Sequence, residues 1–282
     1  MPSDPPDRLL ITGAAGGMGT LLRPLLRRAD RILRLADLAP VADPQPGEEA
    51  VRVDLRDAVA VARACRDVSA VVHLGALSSE APFDDVLQVN VVGTEHVLRG
   101  AVQAGVGRLV LASTNHAAGY YRRGDVPPGS DDLPDEVPAR PDTYYGWSKA
   151  ATESLAALYH HRHGLDVTVL RIGTCVAEPT DLRALSTWLA PVDAAGLVEA
   201  ALTTPEPGFR VLWAVSGNTR RWWSLAGARA LGYQPVADAE RYAAELGARY
   251  GEPDLADPVH DRVGGPFCDL PLGAQISRSP DR

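Results

Sequence analysis

Through its first 175 residues this chain alternates short apolar runs with turns of small residues and helix-length amphipathic stretches. The runs at 8–12, 32–36, 50–55, 70–74, 108–112 and 167–172 have strand length and are rich in Leu, Ile and Val, as parallel strands buried on both faces are. Between them the pattern predicts helices over 20–28, over 57–65 with Asp57 as cap, over 83–104 and over 145–163. Strand and helix in alternation give an α/β fold with a doubly wound parallel sheet. Beyond residue 173 the alternation weakens, and 182–188, 194–202, 209–215 and 237–250 form a smaller mixed region. The segment 122–142, rich in proline, glycine and acid, reads as a surface loop or lid.

The first strand runs straight into Gly13-Ala14-Ala15-Gly16-Gly17-Met18-Gly19 and then a helix. Strand, glycine turn and helix in that order make a dinucleotide site credible. Gly13 permits the tight turn, Gly16 lets backbone approach a pyrophosphate at the helix N-terminus, and Gly19 allows helix to pack on strand. The second strand ends at Asp37, followed by Leu38, some 20 residues past the glycines, where a carboxylate can accept from ribose hydroxyls. Its charge would repel a 2′-phosphate, so NAD is expected over NADP. Asp54 and Leu55, at the end of the third strand, are placed to read an adenine amino group. Gly75-Ala76-Leu77-Ser78-Ser79 supplies small residues past the fourth strand, and Asn90 is a candidate bridge to the active-site backbone.

Past the fifth strand come Ser113-Thr114-Asn115-His116, where doubly wound sheets bind ligands. Tyr145 and Lys149 then stand four apart on a helix, and Lys149 is the only lysine in the chain. An ammonium one turn away favours a phenolate, lowering a tyrosine pKa from about 10 and making it a general base for an alcohol. A surface lysine beside a packing tyrosine has the same spacing, and the glycine motif shifts the balance toward chemistry. His73, inside an apolar strand, reads as a core histidine, and Trp222-Trp223 as core or a subunit contact. His160-His161 and His163 lie at a helix C-terminus, where the dipole explains them better than a metal does.

Composition narrows the partners. The 282 residues carry a formal charge of -8 with no basic stripe, which argues against nucleic acid. Three scattered cysteines make neither a disulfide framework nor a metal knuckle, and no run has membrane length. A cytoplasmic homo-oligomer with no metal, nucleic-acid or membrane partner is expected. The chain divides into a dinucleotide-binding region of Rossmann type over 1–175, a small substrate-side region over 176–272 interleaved with it, and a disordered tail over 273–282.

Together the GxxGxxG turn, the strand-end Asp37, the hydroxyl after the fifth strand and the Tyr145–Lys149 pair resemble the extended short-chain dehydrogenase/reductases, and within them the uronate dehydrogenases. The likeness runs through Thr12 to Gly16, 33–38, 73–75, 113–116, 119–121, 137–142, 171–175, Glu178-Pro179, Arg183 and 185–188. It implies NAD-dependent oxidation of D-glucuronate or D-galacturonate at the anomeric carbon to an aldarolactone. It implies Tyr145 as base, Lys149 as its partner on the nicotinamide ribose, and Thr114 in a hydroxyl position that the family usually fills with Ser. Thr174 also replaces a usual Ser. The expected cofactor contacts are Gly13, Ala15, Gly16, Gly17, Met18, Gly19, Asp37, Leu38, Asp54, Leu55, Leu74, Gly75, Ala76, Asn90, Tyr145, Lys149, Ile172 and Thr174. The expected substrate contacts are Ser78, Ser79, Thr114, Asn115, His116, Tyr145, Thr174, Cys175 and Arg183, the last on the carboxylate. The rivals are a nucleotide-sugar epimerase or dehydratase and a dinucleotide-sensing protein without turnover.

Overall fold

A computed structural model describes residues 7–205 and 207–275. Seven parallel strands, β1 (Asp7–Thr12), β2 (Arg31–Asp37), β3 (Glu48–Arg52), β4 (Ala70–His73), β5 (Arg108–Thr114), β6 (Asp166–Ile172) and β7 (Phe209–Ala214), form one sheet in the order β3-β2-β1-β4-β5-β6-β7. Chain order reverses across the β1/β4 boundary, the crevice where such sheets bind ligands beyond their carboxyl ends. All strands run the same way, so Thr12, Asp37, His73, Thr114 and Ile172 end on a common edge.

Period-two alternation sorts the strand residues onto two covered faces. Leu9, Ile11, Leu33, Leu35, Val72, Val110 and Leu212 pack on one face with Leu22 of α1 (Gly17–Leu22) and Leu197 and Val198 of α7 (Pro191–Thr203). Leu10, Val71, Leu109, Leu111, Val167 and Val169 pack on the other with Val61 of α2 (Ala58–Ala64), Val97 and Leu98 of α4 (Gly93–Gln103) and Ala156 of α5 (Tyr144–His163). A third cluster joins Leu185 of α6 (Ala184–Thr187) and Trp188 to Leu246 of α8 (Ala243–Tyr250).

Several expectations are corrected. Phe209–Ala214, read as part of the smaller region, is the seventh strand and pairs with β6 in register Leu170↔Leu212. The helix after the glycine turn starts at Gly17 and ends at Leu22, because Pro24 supplies no amide for a further turn. β3 starts two residues and ends three residues earlier than expected, so Asp54 and Leu55 stand past the strand rather than at its end. The long helix over 83–104 is α3 (Phe83–Val86), a π-helical turn (Leu87–Val92) and α4, with Asn90 in the π turn. Segment 122–142 is not wholly a surface loop. Leu133 and Asp135 are buried, Leu133 bonds backbone of Trp222 and Ser224, and Asp135 accepts from the amides of Trp213 and Gly227. Trp222 and Trp223 are core, with Trp223 stacked on Trp213 at 4.9 Å. The expected tail begins on a tethered residue, since the Gly273 amide donates to Glu80 at 2.7 Å; residues 276–282 lie outside the described residues.

Candidate active site

The glycine turn has the shape a diphosphate needs. Gly13 sits at φ 71°, and a Cβ there would come within 2.6 Å of the Gly75 amide. A Cβ on Gly19 would overlap the Gly13 carbonyl, whereas one on Gly17 would meet nothing within 4 Å. The turn is therefore closed on its protein side and open outward at the N-terminus of α1, where no side chain caps the amides. Asp37 is braced by its neighbours: Oδ2 accepts from Ala15 N and Oδ1 from Ala39 N, each at 2.9 Å. Each oxygen retains a second lone pair for a ribose hydroxyl. Asp54 is held by Arg56 through bonds of 2.7 to 3.1 Å, which lower its carboxyl pKa. Leu55 turns inward against the second core face and packs under Gly75 and Gly93. These residues fit a dinucleotide along the strand ends.

Beyond β4, His73 is sealed between Thr12 Oγ1 at 2.6 Å and Thr94 Oγ1 at 3.0 Å, and burial drives its pKa down to about 3. It is a neutral core residue, as its apolar strand indicated. Ser78 is exposed, while Leu77 beside it is clamped by Asn90, which accepts from its amide at 2.8 Å and donates to its carbonyl at 3.0 Å. Asn90 also donates to Ser148 Oγ at 2.9 Å. The expected bridge thus exists, and it links the loop after β4 to α5.

Helix α5 begins at Thr143, whose Oγ1 accepts from Gly146 N at 3.0 Å. It presents Tyr145 and Lys149 on a buried face against the end of β5. Lys149 Nζ donates to the Ala112 carbonyl at 2.8 Å, and burial lowers its pKa to about 8. Behind it, Glu153 is fully engaged, taking Arg171 at 2.8 and 3.0 Å and Ser113 Oγ at 2.5 Å. The Tyr145 amide donates to Glu80 Oε2 at 2.9 Å. Glu80 is a buried carboxylate that sequence reasoning missed. It ties the first turn of α5 to Gly273 through its two oxygens.

Thr114 ends β5 and its Oγ1 accepts from His116 N at 3.3 Å. His116 stacks on Phe267 at 4.1 Å, lies 5.9 Å from the Tyr145 ring, and bonds Asp142 Oδ2 through Nδ1 at 2.7 Å. Phe267 and Asp142 were also missed as site residues; Phe267 reaches the site from a segment remote in sequence, and Asp142 from the turn that leads into α5, three residues before Tyr145. Asn115 spends its amide on the Val263 carbonyl at 2.7 Å and so anchors the C-terminal segment. Thr174 Oγ1 meets Thr187 Oγ1 at 3.0 Å, beside β6. Burial pushes the Cys175 thiol up to about 12, so it remains uncharged. Arg183, at the start of α6, directs its guanidinium at the carbonyls of Val259, Arg262 and Val263. It makes no ion pair among the described residues. Sequence-identified groups from the ends of β1 to β6 are thus gathered along one edge, with Arg183 joined to them through Val263.

The chain matches the model of the NAD dependent epimerase/dehydratase family over residues 9–220. It belongs to that family. Its relatives include the uronate dehydrogenase of Agrobacterium fabrum, 40% identical over 95% of this chain and 99% of that one. The uronate dehydrogenase of Pseudomonas syringae is 39% identical over 93% and 94% of the two chains. Among solved structures, a mutant uronate dehydrogenase from Agrobacterium tumefaciens complexed with NAD superposes with TM-score 0.87 at 39% identity, covering 94% of this chain and 98% of that one. Glucuronic acid dehydrogenase from Chromohalobacter salexigens gives 0.88 at 37% identity, covering 94% and 97%. No helix among the described residues is long and apolar enough to cross a membrane, and no group of three His, Cys, Asp or Glu there could hold a metal.

Proposed function

We propose that this protein is an NAD-dependent uronate dehydrogenase that oxidises D-glucuronate or D-galacturonate at the anomeric carbon and releases a 1,5-aldarolactone. The observation that carries this reading is the burial of Tyr145 and Lys149 on one face of α5, against the end of β5 that bears Thr114. Bound NAD supplies the hydride acceptor. The glycine turn and Asp37 hold its diphosphate and ribose, and the anion at Asp37 disfavours a 2′-phosphate.

The residues divide the remaining work. Tyr145 takes the proton of the anomeric hydroxyl as general base, and Lys149 supports that phenolate from one helical turn away. Thr114 orients the same hydroxyl oxygen. The ring oxygen stays bonded to the anomeric carbon, so loss of hydride and proton leaves a lactone carbonyl. His116, fixed by Asp142, meets a sugar hydroxyl. Arg183 answers the carboxylate: a guanidinium without a protein carboxylate pairs bidentately with one from solution. Thr114 and Thr174 retain the hydroxyl of the serines usual in the family and narrow the pocket by a methyl each. The free thiols of Cys65, Cys175 and Cys268 suit a reducing, cytoplasmic setting.

The test is NADH absorbance on mixing the protein with NAD and each uronate, with glucose and galactose alongside. Turnover confined to the acids is expected. Equal turnover of the neutral sugars would overturn the role of Arg183. Tight binding of a nucleoside-diphosphate sugar without net NADH would favour an epimerase or dehydratase instead.

A further inference from the structure

The buried guanidiniums of Arg31 and Arg171 differ from the half-buried ones of Arg123 and Arg183. Arg31 and Arg171 are paired with Glu199 and Glu153 at 2.6 and 2.8 Å. Arg123 and Arg183 make no ion pair with any described carboxylate, and theirs are the guanidiniums whose pKa burial pushes down, that of Arg183 to about 10. Both line the same cavity, of ≈ 390 Å³, together with Ser186, Arg220, Trp222 and Leu255. Tyr145, Lys149, Thr114, Asn115 and His116 do not line it.

Their protein partners are neutral. Arg123 donates through Nε to the His260 carbonyl at 3.1 Å and lies over the Trp222 ring at 4.9 Å. Arg183 takes three carbonyls of the adjoining segment. Carbonyls satisfy hydrogen bonds without cancelling charge, and burial lowers both pKa values against the opposing pull of Asp181 and Asp142 on Arg183 and of Asp261 on Arg123. The carboxylate on the cavity wall, Glu252, faces Arg220 at 3.8 Å, and Arg220 is already paired with Glu240 at 2.7 Å.

We infer that this cavity is a binding site for a small organic dicarboxylate, with one carboxylate on Arg123 and the other on Arg183, and the carbon chain against Trp222 and Leu255. Two guanidiniums without an ion pair on the wall of one cavity call for two negative charges. The volume lies in the range that holds small organic ligands. A six-carbon aldarate, which hydrolysis of an aldarolactone yields, belongs to this class. That choice of dicarboxylate rests on the uronate reading; the site itself does not. Because Arg183 is also the proposed partner of the uronate carboxylate, an occupant competes with substrate.

The experiment is isothermal titration of the full chain with D-glucarate, with D-gluconate and inorganic phosphate as separate probes, for wild type, Arg123→Gln and Arg123→Lys. Saturable 1:1 binding of glucarate is expected, weaker for gluconate, and weakened about tenfold or more in Arg123→Gln. Where turnover is present, glucarate is expected to inhibit competitively against uronate, with the uronate KM responding to Arg183→Gln and not to Arg123→Gln. The wild-type titration needs neither a variant nor turnover, so it reads the site even if uronate is not a substrate. No saturable glucarate binding by folded wild type would overturn the proposal. So would binding of phosphate alone, or a rise in uronate KM in Arg123→Gln as large as its loss of glucarate affinity, which would make the cavity part of the uronate pocket.

Discussion

Asp142 Oδ2 and His116 Nδ1 lie 2.7 Å apart, and the Asp142 side chain is fully enclosed. Glycines 119, 146 and 264, from three separate segments, make the space: a Cβ at any of them would run into Asp142, and one at Gly146 also into the His116 carbonyl. Thr143 Oγ1 donates to the other carboxylate oxygen at 2.8 Å. A carboxylate only accepts, so Nδ1 carries the proton of this bond. Asp142→Asn places an amide donor against Nδ1 and moves the proton to Nε2. Steady-state kinetics are expected to show kcat/KM for uronate falling about tenfold or more, with NAD affinity in a fluorescence titration unchanged. The same substitution in a His116→Ala background is expected to cost nothing further; an equal cost there would show that Asp142 does not act through His116.

Lys149 sets function against stability. Its pKa is about 8 in the fold against an ordinary 10.5, so between those values the folded chain binds fewer protons than the unfolded one. Stability from this group therefore rises as pH climbs from 8 to 10.5, and at pH 7 the buried ammonium is a cost. Lys149→Met is expected to keep or raise the thermal midpoint at pH 7 by circular dichroism while lowering kcat about a hundredfold or more. A clearly lower midpoint at pH 7 would contradict the first part, and retained turnover the second.

His73 works in the acid range. Its folded pKa of about 3 lies below the ordinary 6.5, so unfolding takes up a proton between them. Its stabilising contribution is present above pH 6.5 and is lost as pH falls toward 3. Thermal midpoints measured from pH 7 to pH 4 are expected to fall, and His73→Gln to flatten that slope by about one proton in the linkage analysis. An unchanged slope would show that other groups govern the acid limb.

Gly13 and Gly19 are expected to be intolerant of even a methyl group. Gly13→Ala requires a left-handed backbone and strikes Gly75, and Gly19→Ala strikes the Gly13 carbonyl. Each is expected to cost about 1–3 kcal/mol in urea unfolding and to weaken NAD binding, whereas Gly17→Ala, with open space at its Cβ, is expected to be mild toward folding.

What the sequence revealed follows from which signals are local. The strand and glycine turn around Gly13, the strand-end Asp37 and the Tyr145–Lys149 spacing each arise within one or two elements and are where the pattern placed them, while the helix after the turn starts three residues earlier and ends six residues sooner than expected. Asn90 was legible as a candidate bridge in a long helix; the π turn that aims it at Leu77 was not, because a single wider turn is too short to leave a period of its own in the sequence. Asp142, Glu80 and Phe267 were invisible for another reason. Asp142 matters through His116, 26 residues away, and Glu80 through Tyr145 and Gly273, 65 and 193 residues away. β7 was assigned to the smaller region because the regular alternation weakens after residue 173, yet α7 leads into it and its register with β6 is continuous from Val167 to Ile172.

The central claim is that Tyr145 is the base, and single-turnover NADH formation by Tyr145→Phe tests it most directly. With D-glucuronate and saturating NAD, the account predicts a rate at least about a hundredfold below wild type, with NAD affinity and thermal midpoint preserved. A Phe variant that forms NADH at the wild-type rate would contradict it.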